Sequence, residues 1–244
     1  MQRLRSPSRR VLLLTTTLLT SLGMVGCGGG GSAASTGPTI SELRGFWSGA
    51  TGASLGKVVS LGDATMWLVE EVNSVPVAVT KAAWSASNGG LTGTGRRVVV
   101  DTGAGSDVSL TVSAVGAGAS LSGTFNAAAF SWTYSSAGVG SLASSSLQGT
   151  WTGQFNQGAV ALTWTISSTG KITGTTTTGC VYDGALGDRT DNLRVVDLKV
   201  SENCAGTVKP LTGVGTVDST GKLASFPYMA DNGSAAGVFR LTKQ

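Results

Sequence analysis

The segment Leu43-Arg44-Gly45-Phe46-Trp47-Ser48-Gly49 returns 104 positions later as Leu147-Gln148-Gly149-Thr150-Trp151-Thr152-Gly153, with the leucine, both glycines and the tryptophan in register. Two further echoes follow in the same order: Gly90-Leu91-Thr92-Gly93-Thr94 with Lys171-Ile172-Thr173-Gly174-Thr175, and Leu121-Ser122-Gly123 with Leu211-Thr212-Gly213. The order is kept while the offsets drift. A solenoid repeats at a short fixed period, so this drift describes one domain duplicated and then altered in its loops. The chain is therefore expected to fold twice, over 41–135 and 147–244, with the Gly/Ser/Ala-rich stretch 136–146 as a linker.

Inside each copy the apolar period is two. Val160, Leu162, Trp164 and Ile166 alternate with Ala161, Thr163, Thr165 and Ser167; Val108, Leu110 and Val112 alternate with Ser109 and Thr111. Such alternation places one face in a core and the other in water. Tight-turn residues separate the runs at Asn88-Gly89, Ser168-Thr169-Gly170, Ser219-Thr220-Gly221 and Asn232-Gly233. With 37 glycines and only 12% charged residues, the composition disfavours helix. The expected class is all-β: two tandem antiparallel up-and-down barrels, or sandwiches, of about seven or eight strands each.

Ahead of the first copy, Arg3, Arg5, Arg9 and Arg10 precede a Leu-rich uncharged stretch, Val11 to Val25, which reads as a secretory signal over 1–26. Met24-Val25-Gly26-Cys27 resembles the lipobox of bacterial lipoproteins. That resemblance implies a diacylglycerol on the Cys27 thiol, cleavage just before it, and attachment to a membrane. Gly28 follows Cys27 in place of the aspartate that holds enterobacterial lipoproteins at the inner membrane, so the implied address is the outer membrane, on its periplasmic or surface face. Residues 27–40 then form a lipidated start and a Gly/Ser-rich tether; a dozen such residues span roughly 20 Å as a coil. No long apolar run follows Cys27, so no transmembrane helix is expected there.

The Gly-x-Trp-x-Gly opening, together with Leu-Thr-Gly-Thr or Ile-Thr-Gly-Thr in a later strand, resembles the calycin group and especially avidin-like barrels. In that group the tryptophan plugs one end of an up-and-down barrel that often holds a small ligand. The tyrosine that follows Thr-Gly-Thr in avidins is Gly95 or Thr176 here, and their first-strand asparagine is Gly153, so the resemblance does not extend to biotin. Gly179-Cys180-Val181-Tyr182-Asp183-Gly184 adds a looser resemblance to proteobacterial lipoproteins that join a Gly-x-Trp-x-Gly strand to a Gly-Cys-x-Tyr-x-Gly segment.

Charge excludes one class of partner. Seventeen basic residues face thirteen acidic ones, but the four arginines of the leader leave with it, so the remainder is near neutral. Nucleic acid is not an expected partner. Of three cysteines, lipidation of Cys27 leaves Cys180 and Cys204, 24 positions apart, to pair in an oxidising compartment. A structural disulfide fits them better than redox or metal work, because neither a Cys-x-x-Cys spacing nor any histidine is present.

The absence of histidine removes Ser-His-Asp, Cys-His and histidine-zinc chemistry together. Gly52-Ala53-Ser54-Leu55-Gly56 matches a nucleophile elbow, yet in a chain this rich in glycine and serine, about one chance match is expected. Ser54-Lys57, Ser168-Lys171 and Ser219-Lys222 have Ser-x-x-Lys spacing, but the latter two lie between alternating strands and read as hairpin turns. Asp183, Asp188 and Asp191 offer oxygens without the alternating spacing of a calcium loop, so a solvated hairpin is preferred. Glu70-Glu71 and Arg96-Arg97 fit cross-strand ion pairing better than acid-base work. No catalytic, metal or cofactor residue is expected.

Of six tryptophans, Trp47, Trp67, Trp84, Trp132, Trp151 and Trp164, most are expected in cores, with ligand stacking as the rival reading. The leading functional expectation is a lipid-anchored envelope protein that binds or scaffolds without catalysis. The rival is a carrier whose small hydrophobic or sugar ligand sits in a barrel mouth lined by Trp151, Trp164 and Phe155.

Overall fold

The computed structural model of the chain describes residues 38–87, 90–116, 120–155 and 160–244. The leader, Cys27, the tether as far as Gly37, the Asn88-Gly89 turn and the side chain of Phe155 lie outside the described residues. Alternation becomes strand throughout: β1 (Gly45–Thr51), β2 (Ser54–Ser60), β3 (Thr65–Val72), β4 (Val75–Ser87), β5 (Gly90–Val99), β6 (Gly105–Gly116), β7 (Ser120–Phe125) and β8 (Ala128–Ser135) form the first copy. The second consists of β9 (Gly149–Phe155), β10 (Val160–Ile166), β11 (Lys171–Thr176), β12 (Val181–Asp188), β13 (Val195–Cys204), β14 (Thr207–Val217), β15 (Leu223–Ala230) and β16 (Ala236–Lys243). Each strand pairs antiparallel with the next, β8 closes on β1, and β16 closes on β9. Both copies are closed eight-stranded up-and-down barrels, not sandwiches. Closure leaves neither sheet with a free edge.

The hairpins explain part of the register. Asn73-Ser74 and Asn126-Ala127 place both central residues at positive φ, as does Ala205-Gly206, which is the backbone of a two-residue type I′ turn. Ser168 to Gly170 and Ser219 to Gly221 are likewise turns between consecutive strands. The Gly52-Ala53 step of the elbow-like motif is the β1–β2 turn.

Each barrel has its own filled interior. In the first, Trp47, Trp84, Trp132, Phe130, Leu68 and Leu110 meet in one cluster; in the second, Trp151, Trp164, Tyr182, Phe226, Phe239 and Leu198 do. The expectation of one dry and one wet face holds for β10, whose burial alternates along the strand, but fails for β3, where Met66 through Glu71 are all buried. The reason is a third apolar layer outside both barrels. Val59, Trp67, Val69, Val79 and Val98 on the outer face of the first pack against Val195, Val214, Met229 and Val238 on the outer face of the second. The two copies thus share a wall.

The stretch between the copies is built into that arrangement. It forms two short 3-10 turns, Ser136–Gly138 and Ser144–Leu147, and between them Val139 bridges Leu193 of the β12–β13 loop. Gly140 N donates to Asn192 O and Arg194 N to Gly138 O, so the linker is strapped to the second barrel. Among the described residues no helix is long and apolar enough to cross a membrane.

Candidate functional site

The duplicated motif assembles a plug. A short helix, α1 (Ile40–Leu43), precedes β1, and the 3-10 turn ending at Leu147 precedes β9. Both leucines are buried, and the carbonyl of each accepts from an indole: Trp47 Nε1 gives a hydrogen bond to Leu43 O and Trp151 Nε1 to Leu147 O, both at 2.7 Å. The indole N–H is thereby satisfied inside an apolar core, which is the condition for burying tryptophan there. Gly45 and Gly149 enter the strand at φ +140 and +135, where a side chain would be strained. Across the barrel wall, a Cβ on Gly49 would lie 2.1 Å from Ser131 O, and one on Gly153 1.9 Å from Arg240 O. One end of each barrel is closed by its own sequence.

The opposite ends differ. In the first barrel Glu70 of β3 and Arg97 of β5 both point inward and meet in a bidentate pair of 2.6 and 3.0 Å. Trp132 Nε1 donates to Thr51 Oγ1 at 2.9 Å nearby. In the second barrel the end stays open as a cavity of about 390 Å³, lined by Tyr182, Glu202, Lys209, Tyr228 and Thr176. The Tyr182 hydroxyl donates to Glu202, and Lys209 Nζ lies 3.6 Å from the other oxygen of that carboxylate. Burial, then the hydrogen bond to Glu202 and its charge, push the Tyr182 hydroxyl far above the ordinary tyrosine range; burial and the Glu202 charge do the same to Tyr228. Both stay neutral, so the lining combines two carboxylates, Glu202 and Asp101 of the first barrel, with one cation, Lys209, and two phenols.

Cys180 and Cys204 are joined in a disulfide at the rim of the same mouth. They stand one step beyond the last β12–β13 ladder pair, Val181 with Asn203. The bridge therefore clamps the open ends of a long hairpin, and as a disulfide the two sulfurs do not serve as thiolate ligands beside Glu202.

A larger concavity of about 700 Å³ lies between the barrels. Its walls are the outer faces of β1 to β3 and of β14 to β16, with Phe46, Val59 and Trp67 on one side and Leu223, Ser225 and Pro227 on the other. Ion pairs close one end: Glu71, 3% exposed, is bracketed by Lys57 Nζ at 2.8 Å and by Arg240, which also donates to Ser74 O at 2.8 Å. At the other end stands Arg194.

A second polar latch crosses between the copies. Arg189 reaches Asp191 at 3.0 Å, Asp197 at 2.6 Å and, from the β2–β3 turn of the first barrel, Asp63 at 3.1 Å. Gly62 N adds a hydrogen bond to Asp191 at 3.1 Å. Burial works against the Arg189 charge, but its three carboxylate partners outweigh burial and hold it fully protonated.

The sequence candidates distribute as follows. Trp151 and Trp164 are fully buried in the second barrel's core and line neither concavity, and Phe155 ends β9. Asp183, Asp188 and Asp191 do not converge on one point: Asp183 lies 3.7 Å from Lys171, Asp188 accepts from Ser144 N at 2.6 Å, and Asp191 belongs to the Arg189 latch. Glu70 and Arg97 pair across the lumen, skipping β4, while Arg96 turns outward to Asp107 at 3.0 Å. Sequence reasoning missed Glu202, Lys209, Tyr228 and Arg194, isolated polar residues within or beside strands. Only Tyr182 carried a signal, through the Gly-Cys-x-Tyr-x-Gly segment. No family model, curated protein or solved structure matches this chain.

Proposed function

We propose that this chain is a lipid-anchored protein of the cell envelope, held to the outer membrane through Cys27, that works by binding and not by catalysis. The observation that carries the reading is the use made of its reactive side chains. Glu70, Glu71, Arg97, Arg189 and Arg240 are all consumed in ion pairs that close a barrel or join two of them, and no histidine exists to act as a base. What remains is shaped surface. Membrane fractionation of the Cys27→Ser chain tests the anchor: release into the soluble fraction is expected, and unchanged retention would sink it.

A second reading is favoured by the open mouth of the second barrel. A cavity of about 390 Å³ falls in the range of small-ligand sites, and its Glu202, Lys209 and phenol groups suit a small polar molecule with hydrogen-bonding groups, such as a sugar. Native mass spectrometry of protein purified from its own host separates the two readings. A small molecule that travels with the wild type and is lost from Glu202→Gln would place a carrier first.

A further inference from the structure

We infer that the inter-barrel groove is a binding site for a single-chain anionic amphiphile, a long-chain carboxylate whose head is taken by Arg194 and whose chain lies along the apolar walls. Two independent features of one groove end point there. The first is an unneutralised cation. Arg194 is part-buried, no carboxylate among the described residues lies within ion-pair distance of it, and its guanidinium makes one long hydrogen bond, 3.4 Å, to the backbone carbonyl of Asp218. The nearby Asp218 carboxylate does not serve it, being occupied by Thr220 Oγ1 at 2.7 Å and by the Lys222 and Leu223 backbone N–H groups at 3.0 and 3.1 Å. A guanidinium left with most of its five donors free is matched by a carboxylate in a bidentate geometry.

The second feature is apolar surface left in water beside that cation. Leu223, on the groove wall directly after the Asp218 turn, is 56% exposed. Phe46 lies against Gly138, whose carbonyl accepts from the Arg194 backbone N, and Phe46 and Arg194 both line the groove. From Leu223 the wall continues through Ser225 to Pro227, about 13 Å of strand, opposite Val59 and Trp67. The volume of about 700 Å³ suits a ligand of drug-like size. The far end carries one positive charge in excess, Lys57 and Arg240 sharing Glu71, but both cations are engaged there and Arg240 also donates to Ser74 O. Arg194, without a carboxylate partner among the described residues, and the apolar run behind it define a ligand with one negative head and one tail.

The inference goes beyond the anchored-binder reading and fails separately from it, since membrane release of Cys27→Ser is read without any amphiphile. The test is calorimetric titration of the full chain with dodecanoate, dodecanol and dodecyltrimethylammonium at one ionic strength. One saturable site is expected, with the carboxylate bound roughly tenfold or more tighter than the alcohol, the effect of a hydrogen bond to a charged group, and the ammonium weakest. In Arg194→Ala the carboxylate advantage should vanish while alcohol affinity stays unchanged, and Arg194→Lys should restore part of it. Leu223→Ser, at an exposed position, should weaken carboxylate and alcohol alike. Absence of saturable dodecanoate binding, equal affinity for carboxylate and alcohol in the unaltered chain, persistence of the preference in Arg194→Ala, or a ligand-independent dimer occupying the groove would each overturn the assignment. Melting curves of every variant confirm that the loss is of binding and not of fold.

Discussion

The two barrels share a plug and differ at the opposite mouth. Both begin with a leucine whose carbonyl caps a tryptophan, followed by a glycine that lets the neighbouring strand approach. Beyond that, the first barrel satisfies all three of its interior indoles, Trp47 on Leu43, Trp84 on Ser60 and Trp132 on Thr51, and seals its mouth with Glu70 and Arg97. The second leaves the Trp164 N–H without a hydrogen-bond partner among the described residues, packs that ring at tilted angles against Tyr182, Phe226 and Phe239, and holds its mouth with a disulfide. Duplication has kept the part of the barrel that closes it and released the part that could meet a ligand. The difference also shows two ways to keep a mouth from fraying, one ionic and one covalent.

The largest expected effect tests the shared part. Replacing Trp47 or Trp151 with alanine should cost about 3–5 kcal/mol in each case, from the lost rings and the cavities they leave. Independent domains would respond separately. Because Val59, Trp67 and Val69 of the first barrel are buried against Val195, Val214 and Val238 of the second, however, unfolding one copy bares the other's outer wall. Trp151→Ala is therefore expected to lower the melting of both barrels, followed by tryptophan fluorescence and far-UV circular dichroism. A first barrel that melts as in the unaltered protein would show the common wall to be energetically idle.

Next comes the feature that only the second copy owns. Removing the Cys180–Cys204 bridge by a double serine substitution should destabilise by about 3 kcal/mol, the chain-entropy value for a loop of this length. Denaturant unfolding with and without reductant measures it. The first barrel has no cysteine among its strands, so any loss there must arrive through the shared wall.

How far the sequence could be read follows from what each residue type encodes locally. The period-two runs and the repeated Leu-x-Gly-x-Trp-x-Gly fix strands and duplication because they depend on nearest neighbours and spacing. Those signals left barrel and sandwich open, with the resemblance to calycins favouring the barrel, and the disulfide followed instead from cysteine parity and an exported compartment. The shared wall did not, because Val59 and Trp67 look like any other residues of a strand's second face until a partner surface is known. Turns such as Ser74, Ala127 and Ala205 were equally hidden: they hold positive φ without the Asn-Gly chemistry that advertises it. The two concavities were the least legible of all. Glu202, Lys209 and Arg194 are single polar residues whose meaning lies in what the topology brings opposite them.

A smaller effect separates the satisfied indole from the unsatisfied one. Trp132→Phe removes the donor to Thr51 Oγ1 and leaves that hydroxyl in the core, whereas Trp164→Phe removes a buried N–H that has no partner. Both substitutions delete similar volume, so their difference reports hydrogen bonding. Trp132→Phe is expected to be the more costly by about 1 kcal/mol, and equal losses in thermal unfolding would erase this contrast between the barrels.

The smallest effect belongs to the latch that crosses between the copies, and it is seen through pH. Burial tends to raise the Asp63 carboxyl, but the Thr65 backbone N–H at 3.0 Å and the Arg189 guanidinium at 3.1 Å outweigh it and hold the group below the ordinary carboxylate range. A carboxylate lowered in the folded state adds stability that is fully present above its unfolded value, about 3.9, and disappears as the pH falls through the folded value. Asp63 is 54% exposed at its side chain, so solvent screens the pair and the contribution should stay well under about 1 kcal/mol. Asp63→Asn should accordingly be slightly less stable than the unaltered chain at neutral pH, with the gap closing in acid below the ordinary carboxylate range. Arg189 keeps Asp191 and Asp197 in the variant and Gly62 N still donates to Asp191, so what is lost is the Arg189–Asp63 ion pair and not the whole latch. A gap that persists unchanged into acid would mean that the Asp63 charge plays no part in joining the two barrels, which are also held by the apolar layer, the Glu71–Arg240 pair and the Gly62–Asp191 hydrogen bond.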